Sequence, residues 1–224
     1  MKAMDVMSSD VVTIGPNDDI ADAIKLLMAH DVSALPVIDA AGAVVGVISE
    51  ADLMHRPEIG TEKHHPRWLE AIMPAASLAH DFAKAHGRKV AELMSDSVIS
   101  VSEETSLGEV ARLLEKHRIK RLPVLRDGKL VGIVSRSNLI QALASSQIET
   151  DSDAASDRTI RLNLLERLAG QRWTDFGSRN VIVRNGVVRL WGLISSDDER
   201  KALMALAEQV HGVKKVVDET IPGY

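Results

Sequence analysis

The chain has 224 residues, of which 45% are hydrophobic, 26% charged and 3% aromatic, with a net charge of −5. That balance builds an ordinary globular core of Val, Ile, Leu, Ala and Met, and the negative charge argues against wrapping nucleic acid, which takes a basic footprint. Cysteine is absent, which excludes disulfide and thiolate chemistry.

The N-terminus, "MKAMDVMSSD", has no apolar signal segment, and no apolar run approaches the roughly 18 residues that cross a bilayer, so a cytoplasmic protein is expected. The first extended piece is "DVVTI" (10–14). A helix follows, with Ile20, Ala23, Ile24 and Leu27 on one stripe and Asn17 or Asp18 offering a capping oxygen. The strand "ALPVID" (34–39) then turns through Gly42 into "VVGVIS" (44–49), and the helix "EADLMH" (50–55) closes the unit.

Residues 56–90 are an insert with a helical pattern around 67–86. It carries His64, His65, His80 and His86, just after His55. A metal would need three or four converging ligands, and no His-Glu-x-x-His or cysteine pair is present, so no metal is expected. The insert reads as a solvated, partly helical excursion whose Trp68 packs on its own chain or on a partner.

The first unit then recurs. Pro36 matches Pro123, 87 residues on, and the same offset pairs Met7 with Met94, Ser8 with Ser95, Leu27 with Leu114 and His30 with His117. The second copy runs through "SVISV" (97–101), a helix with Leu107, Val110, Ala111 and Leu114 behind Thr105 or Ser106, and the strand "RLPVLR" (121–126). It turns at Gly128 into "LVGIVS" (130–135) and ends in "RSNLIQAL" (136–143). After the turn the offset falls to 86, pairing Gly46 with Gly132, Ser49 with Ser135 and Asp52 with Asn138. Each copy is β-α-β-β-α.

Ser49 and Ser135 end strands at helix starts, where free N–H groups and positive partial charge draw anions. One turn on, the Asp52 carboxylate can accept two hydrogen bonds from the cis-diol of a ribose. Gly46 and Gly132 let backbone or ligand come close. Ala34 and Leu35 could sandwich a flat base. The plainer reading is that Ser49 and Asp52 form a capping box and nothing else.

After these two copies the chain resembles a tandem pair of CBS domains, a Bateman module, over residues 1–55 and 91–145. The resemblance implies an α+β fold with the repeats packed about a pseudo-twofold axis. It also implies a regulatory, non-enzymatic role: binding adenosine-containing ligands such as AMP, ADP, ATP or S-adenosylmethionine in clefts between the repeats, with no resident cofactor. Carried onto this chain, the ligand-binding positions are Val12, Thr13, Ala34, Leu35, Pro36, Ser49 and Asp52 from the first copy. From the second they are Ile99, Ser100, Arg121, Leu122, Pro123, Ser135, Arg136 and Asn138. The copies differ in charge: Asp31, Ser33, Ala34 and Glu50 become Arg118, Lys120, Arg121 and Arg136. Arg118 and Lys120 read as solvated surface, whereas Arg121 and Arg136 are candidates for holding phosphate. A homodimer is expected through Leu53, Met54, Leu139, Ile140 and Leu143.

Residues 146–157 are polar and acidic and are expected to be a flexible linker. The last domain, 158–224, opens with a helix bearing Ile160, Leu164, Leu165 and Leu168. "NVIVRNGVVRLWG" (180–192) is a hairpin around Asn185-Gly186, the dipeptide that a type I′ turn favours. Ser195 or Ser196 caps the helix "DDERKALMALAEQVHG" (197–212), and "VKKVVDETI" (213–221) is the last strand. On "NGVVRLWGLI" (185–194) and "GVKKVVDETI" (212–221) this α-β-β-α-β tail resembles a BON domain, which implies a phospholipid or protein partner and no catalysis. Trp173, Phe176 and Trp191 read as core or interface residues. A second function stays open: a membrane-proximal or partner-binding adaptor in which the CBS pair only dimerises.

Overall fold

The computed structural model describes residues 1–61, 73–145 and 154–223. Its elements form two compact units. One comprises Val12–Ile99 with Asp127–Leu130, and the other Met1–Val11, Ser100–Arg126 and Val131–Tyr224.

In the first-repeat unit, α1 (Ile20–Ala29) precedes an antiparallel pair, β1 (Ala34–Ile38) and β2 (Val44–Ser49). The one-turn helix α2 (Glu50–Leu53) follows. Gly42 takes φ +81° at the turn between the strands. Ile20, Ala23 and Leu27 are buried with Ile14, Leu35, Val37 and Ile48, but Ile24 is 42% exposed, so the apolar stripe is narrower than expected. The α1 cap position is Asp19. Asp18 instead accepts from the Gly15 N–H, tightening the turn before the helix. The "DVVTI" segment is not a full strand, since Ile14 alone bridges Val37 in parallel. Pro57 explains why α2 is so short, because the residue before a proline is driven out of the helical region.

Within the insert, α3 spans Ala75–His86; residues 67–72 of the expected pattern lie outside the described residues. His64, His65 and Trp68 lie outside the described residues. A second one-turn helix, α4 (Val90–Leu93), buries Val90 and Leu93 in the first-repeat core.

The second-repeat unit repeats the pattern with β3 (Val101–Ser102), α5 (Leu107–Lys116), β4 (Arg121–Arg126), β5 (Lys129–Ser135) and α6 (Arg136–Ser145). Ser106 is the α5 cap, its hydroxyl accepting from the Glu109 N–H. Val110 and Leu114 are buried while Ala111 is exposed. The strands order as β3-β4-β5, with β3 parallel to β4.

The two copies have exchanged their leading segments. Sequence order puts residues 1–11 in the first copy, yet they pack with the second. Residues 90–99, which open the second copy, pack with the first. Ser8 and Ile133 exchange both backbone hydrogen bonds at 2.9 Å, and Ser95 and Val47 do the same at 2.9 and 3.0 Å. This pairing gives both glycines their reason. A Cβ on Gly132 would lie 2.6 Å from Met7 Sδ, and one on Gly46 would lie 2.5 Å from Met94 Sδ. The glycines admit the exchanged arm and its methionine, not a ligand.

The tail belongs to the second-repeat unit. Helix α7 (Ala154–Ala169) starts inside the stretch expected to be linker, of which 146–153 lie outside the described residues. Asp157 is 7% exposed, and its two carboxylate oxygens accept from the Asn185 and Gly186 N–H groups at 2.7 Å. It is therefore a structural residue of the tail, holding the hairpin turn. Strands β6 (Val181–Arg184) and β7 (Val187–Ile194) form that hairpin, with positive φ at Asn185 (54°) and Gly186 (75°) as expected. Ser196 caps α8 (Asp197–Glu208), and β8 (Lys215–Pro222) pairs in parallel with β7. Ile160, Leu164, Leu168, Phe176, Leu190 and Leu203 share one core. Phe176 is thus a core residue; Trp191 is half-buried, and Trp173 is 40% exposed with its indole N–H on Gln171.

Candidate functional site

The first half-site is built where β1 and β2 meet α2. Ala34 lies opposite Ser49 across the strand pair. The Ile14 N–H bonds to the Pro36 carbonyl at 3.1 Å, which lays Val12 and Thr13 along the same strand end. Asp52 Oδ2 accepts from the Ser49 N–H at 2.9 Å and from Ser49 Oγ at 2.7 Å. The capping-box reading is thus correct for one oxygen of Asp52. The other, Oδ1, faces Lys84 Nζ of α3 at 3.9 Å. The Asp52 side chain is 18% exposed, so the carboxylate is held in place and still reachable.

Leu35 does not serve as expected. It is fully buried in the core, as is Leu122 in the second copy, so neither presents an accessible wall for a base. Pro36 and Pro123 are buried as well. Of Ala34 and Leu35, the pair expected to sandwich a base, Ala34 is half-buried and Leu35 fully buried.

The second half-site repeats this geometry with different chemistry. Asn138 Oδ1 accepts from the Ser135 N–H and Ser135 Oγ, both at 2.8 Å. Asn138 is 4% exposed, so its amide is turned inward where Asp52 remains open. Around it, the Arg136 N–H bonds to the Lys120 carbonyl, Arg121 is half-buried and the Arg136 side chain is exposed. Parallel pairing of Val101 with Val124 sets Ser100 beside the Pro123 strand. Ile99 falls in the first-repeat unit, and Ser100 in the other.

Asp31 and Arg118 both adopt positive φ, 49° and 54°. In each copy they form the left-handed exit of the first helix, a backbone role that their opposite charges conceal in the sequence.

Two features of the structure escaped the sequence reading. The first is Lys84, on a helix whose distance from Asp52 no spacing rule gives. The second is the seat of the tail. Arg161 of α7 is 4% exposed and donates to three backbone carbonyls: Val181 at 2.9 Å, Met7 at 3.0 Å and Ser178 at 2.5 Å. Burial pushes its pKa down to about 10, against the opposing pull of Asp5 and Asp10. Arg158 pairs with Asp5 at 2.9 Å, and the Ser9 N–H bonds to Ser178 Oγ at 2.8 Å. The tail thus grips the exchanged arm from one side while β5 holds it from the other. On the sheet's outer face, Ile182 is buried where α6 packs against β6.

Among the described residues no group of three or more His, Cys, Asp or Glu is placed to hold a metal, and no helix is long and apolar enough to cross a membrane. His55 Nδ1 lies 3.2 Å from the Thr61 carbonyl, and His86 stacks on Phe82.

Comparison with known proteins agrees with this architecture. The CBS domain model matches residues 3–58 and 90–145, and the BON domain model matches 156–221. The chloroplastic CBS domain-containing protein CBSX2 of Arabidopsis thaliana is 33% identical over 145 residues, covering 62% of this chain and 61% of that protein. An uncharacterized Methanocaldococcus jannaschii protein is 32% identical over 159 residues, covering 64% of this chain and 91% of its own length. The crystal structure of CBSX2 in complex with AMP superposes with a TM-score of 0.57 at 31% identity, covering 66% of this chain and 99% of that one. Two matching copies with exchanged arms, followed by an α-β-β-α-β tail, place this chain in the CBS domain family, as a CBS pair carrying a C-terminal BON domain.

Proposed function

We propose that this chain is a regulatory, non-catalytic sensor of an adenosine-containing ligand. The observation that carries the reading is the state of Asp52: one oxygen fixed by Ser49, the other facing only the ammonium of Lys84 at 3.9 Å and still partly exposed, on a fold whose relative CBSX2 is crystallised with AMP. A carboxylate held this way accepts the two hydroxyls of a ribose without first having to be ordered. In the second half-site, Arg121 and Arg136 hold phosphate, since guanidinium presents a fixed two-pronged donor. Calorimetric titration of the full chain with adenosine, AMP, ADP, ATP and S-adenosylmethionine tests this. Absence of heat with all five ends the reading.

The BON domain is the output. Ser135 sits on the same strand as Gly132, Gly132 seats Met7, and the Met7 carbonyl is held by Arg161. A ligand that shifts β5 would therefore shift the arm on which the BON domain rests. Such coupling is a free energy shared by both sites, so loosening the BON domain should change ligand affinity in turn.

The adaptor reading draws support from a different surface. Leu193 and Ile221 face each other across β7 and β8 and are 65% and 60% exposed. Sedimentation of the full chain with phospholipid vesicles, with and without Leu193→Ser, tests it. A homodimer is part of the proposal: Met54 on the first copy and Ile140 and Leu143 on α6 are 61–66% exposed and apolar. Light scattering at micromolar concentration reads the mass.

A further inference from the structure

The two half-sites look unequal in charge. Where the second has Arg121 and Arg136, the first has Ala34 and Glu50, leaving its strand end without a cation of its own. The insert makes good the difference. Lys84 comes from α3, outside both repeats, and its ammonium lies 3.9 Å from Asp52 Oδ1, the oxygen that Ser49 does not hold.

Its place is fixed by the chain just after it. The Gly87 carbonyl, one turn beyond Lys84, accepts from Arg56 Nη1 at 2.8 Å, and Arg56 is itself braced by Glu58. The Ile20 N–H bonds to the Arg88 carbonyl at 3.0 Å, and Lys89 pairs with Asp19 at 2.9 Å. Glu92 accepts from the Arg88 and Lys89 N–H groups. The end of α3 is therefore tied both to α1 and to the segment after α2. The Lys84 side chain is 31% exposed, with its ammonium directed at Asp52.

We infer that Lys84 is a specificity residue of the first half-site: it receives the anionic group of a nucleoside phosphate whose ribose sits on Asp52. The inference rests on the ribose reading above. Its chemistry follows from the pair. Unoccupied, the ammonium and the carboxylate satisfy each other. A ribose diol on Asp52 Oδ1 displaces the ammonium, and an uncharged nucleoside would leave it without a counter-charge. A phosphate on the same ligand restores that charge. A lysine suits the exchange, since its flexible four-carbon stem can swing a point charge between two anions. The first half-site thus prefers a phosphorylated nucleoside over the free one, although its strands carry no arginine.

The test is calorimetry of adenosine and AMP against the full chain and three variants. Lys84→Gln keeps the stem and removes the charge; Lys84→Arg restores it; Asp52→Asn removes the ribose acceptor. AMP is expected to weaken about tenfold in Lys84→Gln, because one charge-assisted hydrogen bond is removed at a partly exposed position, and to recover in Lys84→Arg. Adenosine should tighten in Lys84→Gln, because no ammonium is then left without its counter-charge. Both ligands should weaken in Asp52→Asn. If Lys84→Gln tightens adenosine and AMP alike, lysine only competes with ribose, and the inference falls while the sensor reading stands. If Lys84→Gln leaves both ligands unchanged but Asp52→Asn weakens them, the inference again falls alone. If Asp52→Asn changes nothing, the ligand sits elsewhere and the inference falls with its premise. If the native chain binds neither ligand, the inference falls, and the sensor reading then rests on ADP, ATP and S-adenosylmethionine alone.

Discussion

Replacing Arg161 with Met tests the seat of the BON domain most directly. Arg161 donates to three carbonyls while 4% exposed. Charge-assisted hydrogen bonds of this kind contribute about 2 kcal/mol each, so losing all three costs about 6 kcal/mol. Against this stands the burial of the cation. Burial lowers its pKa well below the usual guanidinium range, to about 10. At about 1.4 kcal/mol per unit, that is roughly 3 kcal/mol which a neutral methionine recovers. The sign follows from the direction: the depressed pKa favours the neutral form in the fold. That stabilisation is present only above the usual guanidinium pKa and is lost as pH falls through about 10, so at neutral pH the burial cost applies in full. The net loss is about 3 kcal/mol, or roughly 6–12 °C in melting temperature for a chain of this size. Scanning calorimetry reads the loss. Hydrogen exchange across residues 5–10 and 177–182 reads its location, because the three freed carbonyls lie there or beside it. A loss under about 1 kcal/mol, or exchange rising uniformly over the chain, would refute the reasoning.

Gly132→Ala should destabilise by about 1–3 kcal/mol, since its Cβ meets Met7 Sδ at 2.6 Å and the Ser8 carbonyl at 3.0 Å; urea unfolding checks this, and no loss would mean the arm yields freely. A fragment of residues 158–224 should be less stable than one of residues 154–224 by about 1–3 kcal/mol, because only the longer one holds Asp157 against the hairpin turn; equal melting of the two would discount that carboxylate. Burial raises the Glu199 pKa, but bonds from Ser195 and Thr174 outweigh it and hold the carboxyl below its usual 4.5. Its stabilisation is therefore present above pH 4.5 and lost as pH falls, and Glu199→Gln should flatten the acid limb of a stability–pH curve. Arg121→Ala should weaken AMP by about one to two decades and adenosine much less; equal losses by calorimetry would remove the phosphate role.

What the sequence disclosed depended on whether the signal was local. Asn185-Gly186 announces its turn because the dihedral angles belong to those two residues alone. The Ser49–Asp52 pair is legible because one helical turn sets its reach. The match of Met7 with Met94 was visible, but not its purpose. A repeat looks the same in sequence whether each arm packs on its own copy or on the other, and only the seating of Met7 on Gly132 and of Met94 on Gly46 distinguishes them. Asp157 sits in an acidic, polar stretch, and composition cannot separate a buried cap from a solvated charge. Lys84 was hidden for another reason. It meets Asp52 from 32 positions away, through a helix end held by Arg56, Asp19 and Glu92, and no period encodes that distance.

The exchange of arms also sets an order in time. Residues 1–11 leave the ribosome well before the strand they pair with, and Met7 and Ser8 meet Gly132 and Ile133 only once those have been made. At about 5–20 residues per second that is a wait of roughly 6–25 s. The first repeat waits less, needing only Val90–Met94 to cover its own Gly46. Synthesis should thus complete the first-repeat core while the leading arm is still unpaired. Slowing translation past residue 99 would lengthen the exposure of Ala3, Val6 and Met7, three apolar side chains that the finished molecule buries almost entirely.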